Sequence, residues 1–318
     1  MELRFNEIKN ITVGAVEIWE ENDALRFSKF SREQLRVWKE ISLELHRNAS
    51  ASTGIRLDFY TNSSFVKVYP IEGTKFEIKI NGVLTDVMHV DYSKENPYFK
   101  IDLNNGCELN HVIILFPSHF ESAGIKKVEI ENGATVTRAK FDKKFLFLGD
   151  SITQGWNAIY DFLSYGFLVS ERFNAECVIQ GVGSSRFTPA TVMDINYKAD
   201  VVFVAYGTND YTSLLTIESL KNNCFEYLTK IKSVYGDAKI VVITPIWRMD
   251  EDQERPIGKF EDCKRAIKQV ASDLGLFVVD GGKMINKTAD FMKDPVHPND
   301  LGFCVYANNL IKEVEKII

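Results

Sequence analysis

Cysteine is scarce and irregularly placed in this 318-residue chain. Its five residues, Cys107, Cys177, Cys224, Cys263 and Cys304, are odd in number and contain no C-x-x-C pair. A disulfide framework and a zinc-finger pattern are both excluded, and reduced, mostly buried thiols are expected. Histidine is scarce as well. Four of the five residues, His46, His89, His111 and His119, fall in the first half, no two at metal-ligand spacing, so packed or solvent-facing rings are expected there and no metal. No apolar run is long enough to span a bilayer, and the segment from Met1 to Ile8 lacks the apolar core of a signal peptide. A cytoplasmic protein with no membrane partner is therefore expected, with secretion the alternative if a leader precedes this sequence. A long basic block is missing too, and a net charge of −6 with a pI near 5.5 argues against nucleic acid as a partner. What remains, 45% hydrophobic against 26% charged residues, is the composition of a soluble globular protein, and the length suggests two domains.

The first half reads as strands. Apolar and polar residues alternate from Ile11 to Trp19, Gly54 to Tyr60, Ser64 to Tyr69 and Lys75 to Ile80. A period of two places one face on a core and the other in water. Further strands are expected at His111 to Phe116, Lys126 to Ile130 and near Ala134 to Ala139. Turn signals separate these runs, among them Asn104-Asn105-Gly106 and Asn81-Gly82, the second a type I′ hairpin signal. The stretch from Ser31 to Leu43 is ambiguous, with Ser31 a candidate helix cap. An antiparallel β-sandwich or jelly roll over residues 1–140 is the expectation. Its aromatic residues, Trp19, Tyr60, Phe65, Tyr69 and Tyr98, fit either a core or a sugar platform.

Beyond Lys140 the texture changes. Strands at Phe145 to Leu148, Glu176 to Gln180, Asp200 to Tyr206, Lys239 to Thr244 and Leu276 to Asp280 alternate with helical patterns at Ile159 to Phe173, Thr216 to Tyr235, Gly258 to Leu274 and Leu301 to Ile318. Alternation of this kind predicts an α/β domain over 141–318, a parallel sheet with helices on both faces. The strand from Phe145 runs directly into Gly149-Asp150-Ser151. Side chains in such a turn stand at the carboxyl end of the sheet, where open α/β folds place their chemistry. Ser151 is thus a candidate nucleophile, although Gly-Asp-Ser is also ordinary cap and turn chemistry.

A serine hydroxyl needs a general base, and the base needs an orienting acceptor. The α/β half holds a single histidine, His297, in the loop Lys293-Asp-Pro-Val-His-Pro-Asn-Asp300, with Asp294 one short turn before it. Asp294 can accept the Nδ1 proton and leave Nε2 to face Ser151. Acyl transfer also needs donors for a developing oxyanion. Asn209 in Tyr206-Gly-Thr-Asn-Asp210 can offer its side-chain amide, and the small residues of Gly181-Val-Gly-Ser-Ser185 can offer backbone N–H groups.

These blocks resemble the GDSL/SGNH hydrolase family. Gly149-Asp-Ser151 is similar to its nucleophile block, Gly207-Thr-Asn-Asp210 to its asparagine block and Asp294-Pro-Val-His297 to its acid–histidine block. The glycine block departs from the pattern. Where the family commonly carries the glycine that donates its N–H, this chain aligns Ser184, with Gly183 one residue before. The resemblance implies a flavodoxin-like five-stranded parallel sheet and an oxyanion hole built from the N–H of Ser151, that of Ser184 or Gly183, and the Asn209 amide. A β-sandwich ahead of such a domain further resembles two-domain bacterial esterases that deacetylate carbohydrates.

The expected function is hydrolysis of short-chain, above all acetyl, esters through Ser151, His297 and Asp294, with no cofactor. The expected substrate is a small ester or an acetylated saccharide. An acyltransferase using the same acyl-enzyme and a carbohydrate-binding protein with an inert hydrolase domain are the alternatives. Trp156, Arg186, Tyr211, Trp247 and Arg248 follow these motifs or a strand end and are expected to line the pocket, with a place in the core the equal alternative for Trp156 and Trp247. The oligomeric state is left open.

Overall fold

The structure is a computed structural model and describes residues 1–103 and 106–318. The chain divides into two compact units, Met1–Arg32 with Ser50–Phe141, and Glu33–Ala49 with Asp142–Ile318.

The first unit opens with helix α1 (Phe5–Ile11) and continues in antiparallel strands: β1 (Thr12–Val13), β2 (Glu17–Glu21), β3 (Ala24–Ser28), β4 (Arg56–Thr61), β5 (Phe65–Glu72), β6 (Lys75–Ile80), β7 (Val83–His89), β8 (Phe99–Asp102), β9 (Asn110–Leu115), β10 (Gly124–Ile130) and β11 (Val136–Arg138). Among the described residues they form two sheets, one ordered β1-β4-β9-β6-β7 with β11 on β4, the other β2-β3-β10-β5-β8. The alternation seen in the sequence has its physical counterpart here. In β5, Val66 and Val68 are buried while Lys67 and Tyr69 face outward. Both sheets send such residues into one shared core, with Leu57, Phe59, Phe76, Ile78, Val112 and Ile114 from the first and Phe27, Val66, Val68, Ile125 and Val128 from the second. At the β6–β7 hairpin Asn81 and Gly82 have φ of 50° and 82°, the pair of positive angles that a type I′ turn requires. The turn expected at Asn104-Asn105-Gly106 lies, for its first two residues, outside the described residues.

The ambiguous stretch after Ser31 is helical, as α2 (Arg32–Ile41) followed by α3 (Leu43–Ser50). Residues 33–49 group with the second unit. Their buried polar side chains bond within that unit: Gln34 and Gln180 exchange side-chain hydrogen bonds at 3.3 and 3.2 Å.

The second unit is a parallel sheet of β12 (Lys143–Gly149), β13 (Ala175–Gly181), β14 (Val201–Ala205), β15 (Lys239–Ile243) and β16 (Phe277–Val279). Its helices are α4 (Ser151–Gln154), α5 (Tyr165–Arg172), α6 (Thr208–Ser213), α7 (Ile217–Val234), α8 (Phe260–Asp273) and α9 (Asp300–Val314). Strand order β13-β12-β14-β15-β16 is the flavodoxin-like order 2-1-3-4-5. Central strand β12 is buried on both faces. Phe145 and Phe147 point to one side, where Phe147 stacks on Phe203 at 4.5 Å, and Leu146 and Leu148 to the other. The region from Ile159 to Phe173 is not one helix. A 3₁₀ turn at Asp161–Leu163 precedes α5, and Ser164, in an extended conformation, separates them. Among the described residues no helix is long and apolar enough to cross a membrane.

Doubly wound sheets bind ligands outside the carboxyl ends of their strands, at the point where the connections reverse direction. Here that point lies between β12 and β14. Ser151 follows the first of these strands and Asn209 the second.

Candidate active site

Strand β12 stops at Gly149 for a steric reason. A Cβ there would come within 2.0 Å of Thr153 Oγ1 and 2.7 Å of the Ala205 carbonyl, so only glycine lets α4 fold back onto the strand end. Asp150 is the N-cap of that helix and accepts the Ile152 N–H at 2.9 Å. Ser151 follows at the first helical position. The Asp150 carboxyl is thus turned toward its own helix, and its role is to shape the turn. Burial pushes its pKa up to about 7, against the pull of the Ile152 N–H and of the Arg248 guanidinium.

Ser151 Oγ lies 2.8 Å from His297 Nε2. Nδ1 of the same ring lies 2.8 Å from Asp294 Oδ2 and 3.0 Å from Oδ1. The loop is built to hold this carboxylate. Its Oδ1 accepts the N–H groups of Val296 and His297, both at 2.8 Å, and Oδ2 accepts Asn157 Nδ2 at 2.6 Å. Burial alone raises the pKa of Asp294, but the two backbone donors and the His297 ring together outweigh it and hold the carboxyl below its ordinary value. The Met249 N–H donates to the Pro295 carbonyl at 2.8 Å and fastens the loop.

Gly183 and Ser184 differ in the partners of their N–H groups. The Gly183 N–H donates to Gln154 Oε1 at 2.7 Å and is already engaged. Among the described residues neither the Ser184 N–H nor the Ser151 N–H has an acceptor. Ser184 takes a left-handed φ of 67°. That costs a residue with a Cβ roughly 1–2 kcal/mol, which accounts for glycine being the easier residue at this place. Asn209, at the second position of α6, donates one amide hydrogen to the Ser185 carbonyl at 2.9 Å. This bond fixes the amide and leaves its second hydrogen for a ligand.

Ser151, His297, Asn209, Gly183 and Ser184 line one open cleft of about 190 Å³, together with Trp156, Arg248, Thr212 and Val296. The Trp156 ring lies 6.3 Å from that of His297. Arg248 is buried, donates to the Thr208 carbonyl at 3.1 Å, pairs with Asp250, and lies 5.2 Å over the Tyr211 ring. Of the five expected pocket residues, Trp156 and Arg248 therefore reach the cleft. The other three do not line it. Tyr211 is fully buried, with its hydroxyl donating to the Gln253 carbonyl. Trp247 packs against the core of the unit. Arg186 is exposed. Thr212 and Val296 were missed. Thr212 stands three residues after Asn209 on the same helix, so helical spacing carried the signal for it.

Residues 147–303 match the GDSL-like Lipase/Acylhydrolase family. The second unit belongs to this family, the GDSL/SGNH carboxylic ester hydrolases. No curated protein matches the sequence. Among solved structures, a salicylyl-acyltransferase from a tetracycline biosynthetic pathway is similar at 16% identity, with 96% of this chain and 94% of that one covered and a TM-score of 0.83. A family two carbohydrate esterase from Cellvibrio japonicus is similar at 14% identity over 98% and 96%, TM-score 0.72. A further one from Clostridium thermocellum, in complex with cellohexaose, is similar at 14% identity over 84% and 93%, TM-score 0.68. At these identities the likeness is one of fold, and it extends across both units.

Proposed function

We propose that the protein is a serine esterase that removes short acyl groups, above all acetyl, from a carbohydrate. The observation that carries this reading is the relay from Ser151 Oγ through His297 to Asp294, each step 2.8 Å, at the carboxyl edge of the sheet. Ser151 Oγ attacks the ester carbonyl while His297 Nε2 takes its proton. Asp294 holds the proton on Nδ1, so that Nε2 is the basic nitrogen, and stabilises the imidazolium that forms. The negative oxygen of the tetrahedral intermediate is held by the N–H groups of Ser151 and Ser184 and by the Asn209 amide. His297 then passes its proton to the leaving alcohol, and water, activated by the same nitrogen, releases the acid from Ser151.

The small open cleft supports a short acyl group with the alcohol portion extending outside. The carbohydrate esterases among the similar folds support a saccharide as that alcohol. Acetate release from acetylated xylo- and cello-oligosaccharides, measured beside p-nitrophenyl esters of rising chain length, tests the proposal. Turnover should fall as the acyl chain lengthens and should exceed the p-nitrophenyl acetate rate on at least one saccharide. A preference for long chains contradicts the assignment.

An acyl-enzyme can also pass its acyl group to a hydroxyl other than water, and the similarity to an acyltransferase at a TM-score of 0.83 favours this as the second reading. Adding sugar or phenolic acceptors at constant ester concentration separates the two. A transferase diverts product to the acceptor, whereas a hydrolase continues to release free acid.

A further inference from the structure

Gly183 and Ser184 are the two central residues of a β-turn closed by the Ser185 N–H on the Val182 carbonyl at 3.1 Å. Ser184 has a φ of 67°, and Gly183 is not in the positive region. That combination is a type II turn. Types I and II differ by a flip of the central peptide, here the one joining Gly183 to Ser184, and type II prefers glycine at its third position. This chain has serine there, so the turn's own residue preference opposes the orientation observed.

The opposing force comes from α3. Asn48 is buried, and its Nδ2 donates to the Gly183 carbonyl at 3.0 Å. The preceding peptide is held from the other side, by Gln154 Oε1 on the Gly183 N–H at 2.7 Å, and Gln154 Nε2 in turn donates to the Asn48 carbonyl at 3.3 Å. A Cβ on Gly183 would come within 3.0 Å of Asn48 Nδ2, so the contact also depends on glycine at 183. The carbonyl and N–H of one trans peptide point in opposite directions. Holding the Gly183 oxygen on Asn48 therefore aims the Ser184 N–H the other way.

We infer that Asn48 is a positioning residue for the oxyanion hole: through the Gly183 carbonyl it holds the 183–184 peptide in its type II orientation and keeps the Ser184 N–H directed at the reacting oxygen. The inference rests on the esterase reading above. It gives helix α3 a part in the reaction although none of its residues lines the cleft. It also explains how serine is tolerated where glycine is the easier residue, because the tether offsets the cost of the left-handed φ.

Asn48→Ala should lower kcat on p-nitrophenyl acetate by ~10–100-fold, part of the 10²–10³ that one complete donor is worth. KM and the pH midpoint of kcat/KM should stay as in the unaltered protein. Ser184→Gly in the Asn48→Ala background should then recover at least tenfold of a hundredfold loss, since glycine takes the positive φ without the tether. A purely packing role for Asn48 gives no such rescue. Retention of kcat within twofold by Asn48→Ala, or no recovery in the double variant, overturns the inference. Should Asn48→Ala fold poorly, Asn48→Leu keeps the volume, and its crystal structure reads the peptide directly. A flipped 183–184 peptide is expected and an unflipped one refutes the tether. If the unaltered protein hydrolyses no ester while the peptide still flips in the variant, the esterase reading fails and the tether stands.

Discussion

Replacing Asp294 by asparagine tests the proton logic of the relay. Every group around this carboxylate is a donor: the N–H groups of Val296 and His297 at Oδ1, and Asn157 Nδ2 and His297 Nδ1 at Oδ2. Asparagine offers one oxygen and one NH₂, so in either orientation its NH₂ meets donors. The two backbone N–H groups belong to the loop itself and cannot turn away, which favours the oxygen on their side. The NH₂ then faces His297 Nδ1. The ring responds by carrying its proton on Nε2, the nitrogen 2.8 Å from Ser151 Oγ, and can no longer accept the hydroxyl proton. A loss of ~10⁴ in kcat is expected, as for the corresponding change in the serine-protease triad. At 1.36 kcal/mol per tenfold this is about 5.4 kcal/mol of transition-state stabilisation. Steady-state hydrolysis of p-nitrophenyl acetate reads the loss, and circular dichroism checks that the fold is intact. A loss smaller than about tenfold would show the tautomer argument to be wrong and leave a Ser151–His297 pair oriented by some other group.

Further outcomes follow from the same geometry. Asn209→Ala should lose ~10²–10³ in kcat, the scale of one oxyanion donor, with little change in KM, as measured on the same ester. Asn157→Ala removes one of the four donors to Asp294 and leaves the His297 contact, so its loss should be far smaller than that of Asp294→Asn. Asp210 is buried, and burial raises its pKa to about 7 against the pull of Arg186 and of the Phe187 N–H. Its folded pKa exceeds the unfolded value, so the folded state holds the proton more tightly and stability falls as pH rises from about 4 to about 7. Asp210→Asn should therefore raise the melting temperature at pH 8 and change it little at pH 4, as differential scanning fluorimetry would record; equal shifts at both pH values contradict this.

Much of the site was legible in the sequence because its chemistry sits where strands end. An all-apolar run such as Phe145 to Leu148 declares a buried strand, and the turn after such a strand stands at the sheet edge. Ser151 and Asn209 were singled out in this way, Asp294 and His297 by the loop that carries the single histidine of the second half, and the structure brings the four to one place. Local turn chemistry was legible for the same reason, as at Asn81-Gly82. Contacts across large sequence separations were not. Nothing local to Asn48 announces a bond to a carbonyl 135 residues away, and nothing in α2 or α3 tells which unit they join. Side-chain direction was equally hidden. Tyr211 and Arg248 both come after strand ends, yet the Tyr211 ring is buried beneath the Arg248 guanidinium. Similarly, the left-handed φ of Ser184 is imposed by partners on α3 and α4, whereas its own residue type argues against it.

That Ser151 is a nucleophile activated by His297 is read out by intact-protein mass spectrometry with a fluorophosphonate. One adduct per chain is expected, mapping to Ser151, absent in Ser151→Ala and formed far more slowly in His297→Ala. An adduct on another residue, or full ester turnover by Ser151→Ala, would contradict this assignment.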